Sequence, residues 1–193
     1  MKDNVINMKR LSTFFIAVTI VFISSEFTVV AQSSFYPGYI ILLTGDTLTG
    51  EVKMNPKKDL DMFSKTTFKK GQESPKAYKA NKIKEYKVDK TVFVSRNIDG
   101  EQVFIKRIST GMVNLYELKI EVLHMNEIKE KIDYYMEKIG EEGPIKIKSG
   151  RFRKQVADAM ADNEKILQDL EDKKYDFENI VEVFNEYNKT AKN

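Results

Sequence analysis

The sequence predicts an α+β fold: an antiparallel meander sheet, open to curling or to partial barrel closure, followed by two or three short C-terminal helices packed on it. Three observations predict it. From Tyr39 to Lys148, short runs that are apolar or alternate apolar and polar are separated by turn residues, foremost the pairs Gly45-Asp46 and Asp99-Gly100. After Ser149 the apolar period changes from two to near 3.6. A run of strands followed by a run of helices puts the helices on one face or end of an antiparallel sheet.

The first element is an export signal. Lys9 and Arg10 lead into the apolar run Leu11 to Ser25 and then into Val29-Val30-Ala31, the order of a positive n-region, an h-region and a small-residue cleavage site. A membrane anchor needs about 20 apolar residues, and this run ends at Glu26, so cleavage between Ala31 and Gln32 is expected. Met8 is a more natural start than Met1. Removing residues 1–31 from the 193-residue chain leaves 162 residues, enough for a single α+β domain over 32–193, with a β-rich part at 38–148 and a helical tail at 149–193. No transmembrane span is expected after cleavage. With no cysteine the exported chain has neither disulfides nor a lipid-anchor thiol, so its fold rests on its core.

Gly45-Asp46 is read as a two-residue type II′ turn between Ile40–Leu43 and the alternating strand Thr47–Met54, with Gly45 supplying positive φ. The segment 55–90 is expected to hold short strands near Met62–Lys69 and Glu85–Val88, with a loop through Gly71–Pro75. Asp99-Gly100 is the favoured pair for a type I′ turn between Thr91–Ser95 and Gln102–Lys106. A strand over Met112–Val122 follows, then a hairpin of Ile132–Lys138 and Ile145–Lys148. In the tail, Phe152, Val156, Ala159 and Met160 form one helical stripe, Ile166, Leu167 and Leu170 a second, and Ile180, Val181, Phe184 and Tyr187 a third, with Asp162 and Asp176 where N-caps belong. Phe152, Leu167, Ile180 and Phe184 are expected to be buried with Leu115 and Val103.

Chemistry-bearing motifs are sparse. His124 is the only histidine, so no His/Cys zinc site can form, and neither a Gly-x-Ser-x-Gly elbow nor a glycine-rich phosphate loop occurs. Thr44-Gly45-Asp46-Thr47 reverses the aspartic-protease order and has no second copy, which leaves Asp46 a turn residue. No catalytic residue, metal ligand or cofactor is expected. The leader carries three of the 32 basic and two of the 29 acidic side chains, so the mature chain stands at +2. Charge is unevenly spread: residues 51–90 hold twelve lysines and six acids, residues 155–193 ten acids and five lysines. Lysines interleaved with aromatics, taking in Lys69, Lys70, Lys79, Lys82, Lys84, Tyr86 and Lys87, form a candidate anionic-ligand surface. The plainer reading is an edge strand guarded by lysines.

Pro37-Gly38-Tyr39-Ile40 leading to Gly45-Asp46-Thr47-Leu48-Thr49-Gly50-Glu51-Val52, then Leu115-Tyr116-Glu117, Tyr134-Tyr135 and Ile180-Val181 to Glu186-Tyr187-Asn188, resembles a family of uncharacterised secreted proteins of Gram-negative bacteria. The resemblance implies a signal peptide, a β-rich module opening on a Gly-Asp-Thr-Leu hairpin and a helical tail; it brings no catalytic residues. The function expected is an exported, non-enzymatic binding or interaction module, periplasmic or peripheral at the outer membrane or cell exterior. Its expected partner is an envelope protein or an anionic glycan, not intracellular nucleic acid. A structural or assembly partner of an outer-membrane protein, and an envelope hydrolase using His124 or a carboxylate pair, are the alternatives.

Overall fold

In the computed structural model residues 34–54, 59–125 and 127–190 are described, and the expected leader with its Ala31–Gln32 cleavage point lies outside them. The strands are β1 (Ser34–Leu42), β2 (Thr47–Met54), β3 (Lys65–Lys69), β4 (Lys76–Lys79), β5 (Ile83–Val88), β6 (Thr91–Ile98), β7 (Glu101–Ser109), β8 (Val113–His124), β9 (Glu127–Lys138) and β10 (Ile145–Lys146). A 3-10 turn at Asp59–Phe63 follows β2, and helices α1 (Phe152–Ala159), α2 (Glu164–Glu171) and α3 (Ile180–Thr190) complete the chain. Every strand pairing is antiparallel, in one sheet of order β10-β9-β8-β7-β6-β5-β1-β2-β3-β4. The expected α+β architecture of a curled meander with helices behind it is the one observed.

The curl follows from chain length. Only three residues join Lys79 of β4 to Ile83 of β5, yet β3, β2 and β1 lie between those strands. Four strand steps in a flat sheet cover about 19 Å, whereas four residues reach at most about 14 Å. The sheet therefore rolls into a half-barrel, and where its edge returns, the Ser95 hydroxyl of β6 donates to the Ala80 carbonyl at 2.6 Å. Gly38 and Gly50 face each other in the β1–β2 register. A Cβ on either would meet a neighbouring strand's carbonyl, Lys87 O at 2.0 Å or Lys69 O at 2.4 Å, so glycine permits the close approach that the bend needs.

Two hydrophobic clusters result. The first fills the curl with Ile40, Val52, Phe68, Ile83, Tyr86, Phe93 and Phe104 and is joined by Met62 and Phe63 of the 3-10 turn. Tyr86 is stacked on Phe93 and edge-on to Phe104, each at 4.8 Å between ring centroids. The second cluster buries Phe152, Val156, Met160, Ile166, Leu170, Ile180, Phe184 and Tyr187 of the tail against Val113, Leu115 and Met136. Strand β8 serves both: Val113 and Leu115 belong to the helical cluster, Tyr116 and Leu118 to the curl. Asn188 ties α3 to this strand, donating through Nδ2 to Val113 O at 2.8 Å and Ser109 Oγ at 3.1 Å while Oδ1 accepts from Val113 N at 3.2 Å.

Several local expectations are corrected. Gly45 N–H donates to Leu42 O and Leu42 N–H to Asp46 O, so the first loop is Leu43–Thr44–Gly45 and not a two-residue Gly45-Asp46 turn. Gly45 has φ +101° at its last position, the place of a glycine after a type I turn, and Asp46 leads into the return strand while accepting the Thr44 hydroxyl at 2.7 Å. Asp99 and Gly100 both have positive φ, at 52° and 91°, and form a two-residue turn between Ile98 and Glu101. The α2 cap is Asn163, whose side chain accepts from Ile166 N, while Asp162 instead receives the Tyr187 hydroxyl at 2.9 Å. Asp176 accepts from the N–H groups of Glu178 and Asn179, ahead of α3. Val103 packs in the curl and not with the helices, and Leu167 is half-buried where Ile166 and Leu170 are the buried pair.

Candidate functional site

The 3-10 turn at Asp59–Phe63 rests against the curl and forms one wall of a cleft of about 550 Å³. Its position is fixed by the buried Tyr86 hydroxyl, which donates to Met62 O at 2.6 Å. Burial pushes that phenol's pKa well above its ordinary value, so it remains the donor. The floor is apolar: Phe63 from the turn, Ile98 and Val103 from the β6–β7 hairpin, Leu118 and Ile120 from β8, and Tyr135 from β9. Carboxylates of Asp61, Asp99, Glu101 and Glu121 stand at the rim, all four in exposed residues.

Asp133 is 6% exposed at the edge of this cleft and is held by Lys146 at 2.5 Å and Lys131 at 3.0 Å. Burial alone would raise its pKa. The hydrogen bonds and charges of the two lysines outweigh that effect and hold the carboxyl below the usual range. It is thus a fixed anion neutralised by its own lysines; Lys119, which also lines the cleft, pairs with Glu130 at 3.4 Å, and the four rim acids carry the cleft's remaining charge. The Lys146 ammonium also stands 6.0 Å from the Tyr135 ring centre, which ties β10 to the rim.

A second polar assembly crosses the sheet, with one residue from each of six neighbouring strands: Tyr39, Glu85, Arg96, Arg107, Tyr116 and Glu137. Arg96 grips Glu137 through two bonds of 2.9 and 2.8 Å, and the Tyr116 hydroxyl adds a third at 2.7 Å. Arg107 donates to Glu85 at 2.8 Å and the Tyr39 hydroxyl to the same carboxylate at 2.6 Å. Burial, reinforced by the carboxylate bonds, pushes the Tyr39 and Tyr116 pKa values up to about 12. At Glu137 burial opposes ionisation, but the bonds from Arg96 and Tyr116 prevail and lower its pKa. Two guanidinium groups face two carboxylates, so the row is charge-balanced and braces the sheet. Sequence reading missed it because its members are spread from residue 39 to residue 137; the one available signal was charge inside apolar strands, at Arg96 and Arg107.

The expected anionic-ligand surface is not one surface. Tyr86 has 0% exposure and belongs to the core of the curl, where no ligand can stack on it. Lys69 lies on β3 beside Glu51 at 3.7 Å, Lys79 on the edge strand β4, and Lys84 and Lys87 on β5. Strands β1 and β2 separate β5 from β3. Lys70 and Lys82 occupy the adjoining loops, both exposed. Lys76 and Lys79 on β4 match the plainer reading of a lysine-guarded edge. His124 ends β8 at an exposed hairpin and lines none of the clefts described here. Among the described residues no group of three His, Cys, Asp or Glu side chains is placed to hold a metal ion, and no helix is long and apolar enough to cross a membrane.

Comparison with protein-family models, with curated proteins and with solved structures gives no match to this chain.

Proposed function

We propose that this chain is an exported, non-enzymatic binding module of the cell envelope, periplasmic or peripheral at the outer membrane, and that its working surface is the cleft under the 3-10 turn. Kinship with the secreted Gram-negative family it resembles belongs to the same proposal. The observation that carries the binding reading is the pairing of an apolar floor, built from Phe63, Ile98, Val103, Leu118 and Ile120, with a rim of four carboxylates. Apolar walls with a few placed polar groups are what small-ligand and side-chain pockets share. Such a cleft selects an apolar group attached to a positive charge, whether on an amphiphile or on a partner protein.

The test uses dodecyltrimethylammonium below its micellar concentration, titrated calorimetrically against the chain, with dodecyl sulfate as the opposite-charge control. Saturable binding of the cation is expected, weaker binding of the sulfate, and a loss of about tenfold or more in the Val103→Arg variant, which fills the floor and adds like charge. Equal binding of both amphiphiles, or affinity untouched by Val103→Arg in a folded variant, overturns the reading.

A second reading, as an assembly partner of an outer-membrane protein, is favoured by the β8–β9 hairpin. Beyond Glu117 these strands pair with each other and not with β7, and Leu123, Met125 and Ile128 there are 74%, 87% and 70% exposed. Charged substitution at Leu123 and Ile128 that left envelope association unchanged would remove it.

A further inference from the structure

We propose that the groove where β10 runs into α1 is a binding site for a polyvalent oxyanion, phosphate groups carried on a compact soluble polyol or sugar. Lys146, Lys148, Arg151 and Lys154 line a concavity of about 690 Å³ together with Gln155 and Asp158. Arg151 and Lys154 also line an adjoining concavity of about 460 Å³, which adds Arg153, Phe177 and Asp176. Lys146 is committed to Asp133. Lys148, Arg151, Arg153 and Lys154 have no carboxylate within ion-pair distance among the described residues. In the same chain Arg96, Lys106, Arg107, Lys165 and Lys174 all do.

The acids that face the groove do not cancel it. Asp176, beside Arg151 and Lys154 in the smaller concavity, directs Oδ1 to the N–H groups of Glu178 and Asn179, and Asp158 is the carboxylate of the larger one. Four unpaired cations against two acids leave a local positive excess in a concave wall, where field lines converge. Geometry is set by Gln155, which accepts from Lys148 N and donates to Lys146 O, both at 2.9 Å, and so locks the strand end to the first turns of α1. Gly150 between them has open space where a side chain would stand, so ligand can approach the backbone. Two arginines supply planar forks for bidentate phosphate contact, and the flanking lysines add point charge. A concavity of this kind fits a compact soluble polyanion better than a flat bilayer. The cations cluster at residues 148–154, away from the lysines of β3 to β5.

The test is calorimetric titration of the full chain with inositol hexakisphosphate at low and at physiological salt, followed by phosphatidylglycerol vesicles in a sedimentation assay. Binding of the soluble probe at one site is expected, with affinity falling as salt rises. Arg151→Gln/Lys154→Gln should weaken it about tenfold or more, while Lys82→Gln/Lys84→Gln leaves it within about twofold. Melting curves establish that the variants are folded; Lys148→Gln, at an exposed position, serves if the double variant is not. No binding of the probe, equal losses in both double variants, or capture by vesicles alone overturns the proposal. The site shares with the cleft of Val103 only Lys146, which is committed to Asp133, so Val103→Arg should leave probe affinity unchanged whatever the fate of that reading.

Discussion

Asn188→Ala probes the joint between the helical tail and the sheet. Asn188 is 4% exposed and makes three hydrogen bonds, two to the backbone of Val113 and one to the Ser109 hydroxyl. Alanine leaves the Val113 N–H and C=O buried without these partners, whereas Ser109 can rotate. A buried group deprived of its partner costs about 1 to 3 kcal/mol. The expected loss is therefore about 3 kcal/mol, a large part of the 5 to 15 kcal/mol that holds a typical domain together. At about 2 to 4 °C per kcal/mol for a chain of this size, Tm should fall by about 6 to 12 °C. Differential scanning calorimetry measures the shift, and amide hydrogen exchange at Val113 should quicken with it. A melting point within about 1 °C of the parent would show that α3 is not held through this side chain and would refute the reasoning.

The remaining predictions concern turns, packing and pH. Gly45→Val places a β-branched residue at φ +101° with no neighbour to clash, so backbone strain alone should cost about 1 to 3 kcal/mol in urea unfolding. Asp46→Asn keeps an acceptor for the Thr44 hydroxyl and should leave the unfolding midpoint unchanged. Phe184→Ala empties a fully buried site and should cost about 3 to 5 kcal/mol. It and deletion of residues 176–193 should lower Tm in one cooperative transition, because β8 belongs to both clusters; a sheet transition left in place by the deletion would make the tail an independent segment. Asp133 and Glu137 have folded pKa values below their ordinary 3.8 and 4.5, so their stabilisation is present above those values and lost as pH falls below them. Asp133→Asn should flatten the acid limb of a stability–pH curve, and an unchanged limb would contradict the lysine clamp. At the alkaline end, Tyr39 and Tyr116 ionise near 12 instead of 10, so phenolate absorbance should lag until the sheet unfolds.

Period and turn chemistry carried much of the fold, and their limits are visible in particular residues. Strand β2 was readable to its ends because Thr47–Met54 alternates along its length. The beginning of β9 was not, since Glu127–Lys131 is mostly charged and exposed, and its partnership with β8 turns through Met125 at φ +48° without a glycine. β4 was missed because Lys76–Lys79 is an edge strand of four residues whose one inward side chain, Tyr78, is only half-buried. The curl itself is a long-range consequence of a three-residue link, which periodicity cannot register. The cleft was hidden for the same reason: Phe63, Val103, Leu118 and Tyr135 lie tens of residues apart, and each reads as ordinary core. Tyr86 was misjudged by its lysine neighbours, although alternation in β5 turns Lys87 and Tyr86 to opposite faces.

The sharing of β8 between two cores gives this chain an order of events. All the strand residues named in the curl lie at or before Tyr135, whereas the helical cluster is not complete until Tyr187. In a chain that emerges N-terminus first, that last stretch of about 50 residues imposes a delay. During it the curl can close while Val113, Leu115 and Met136, already arrayed on the sheet, have nothing to cover them. The half-made protein therefore shows a transient apolar face, the form that holdase chaperones grip and that like chains stick to. A variant that slows docking of α3, such as Phe184→Ala, should lengthen that window and raise aggregation during refolding more than its loss of equilibrium stability alone would.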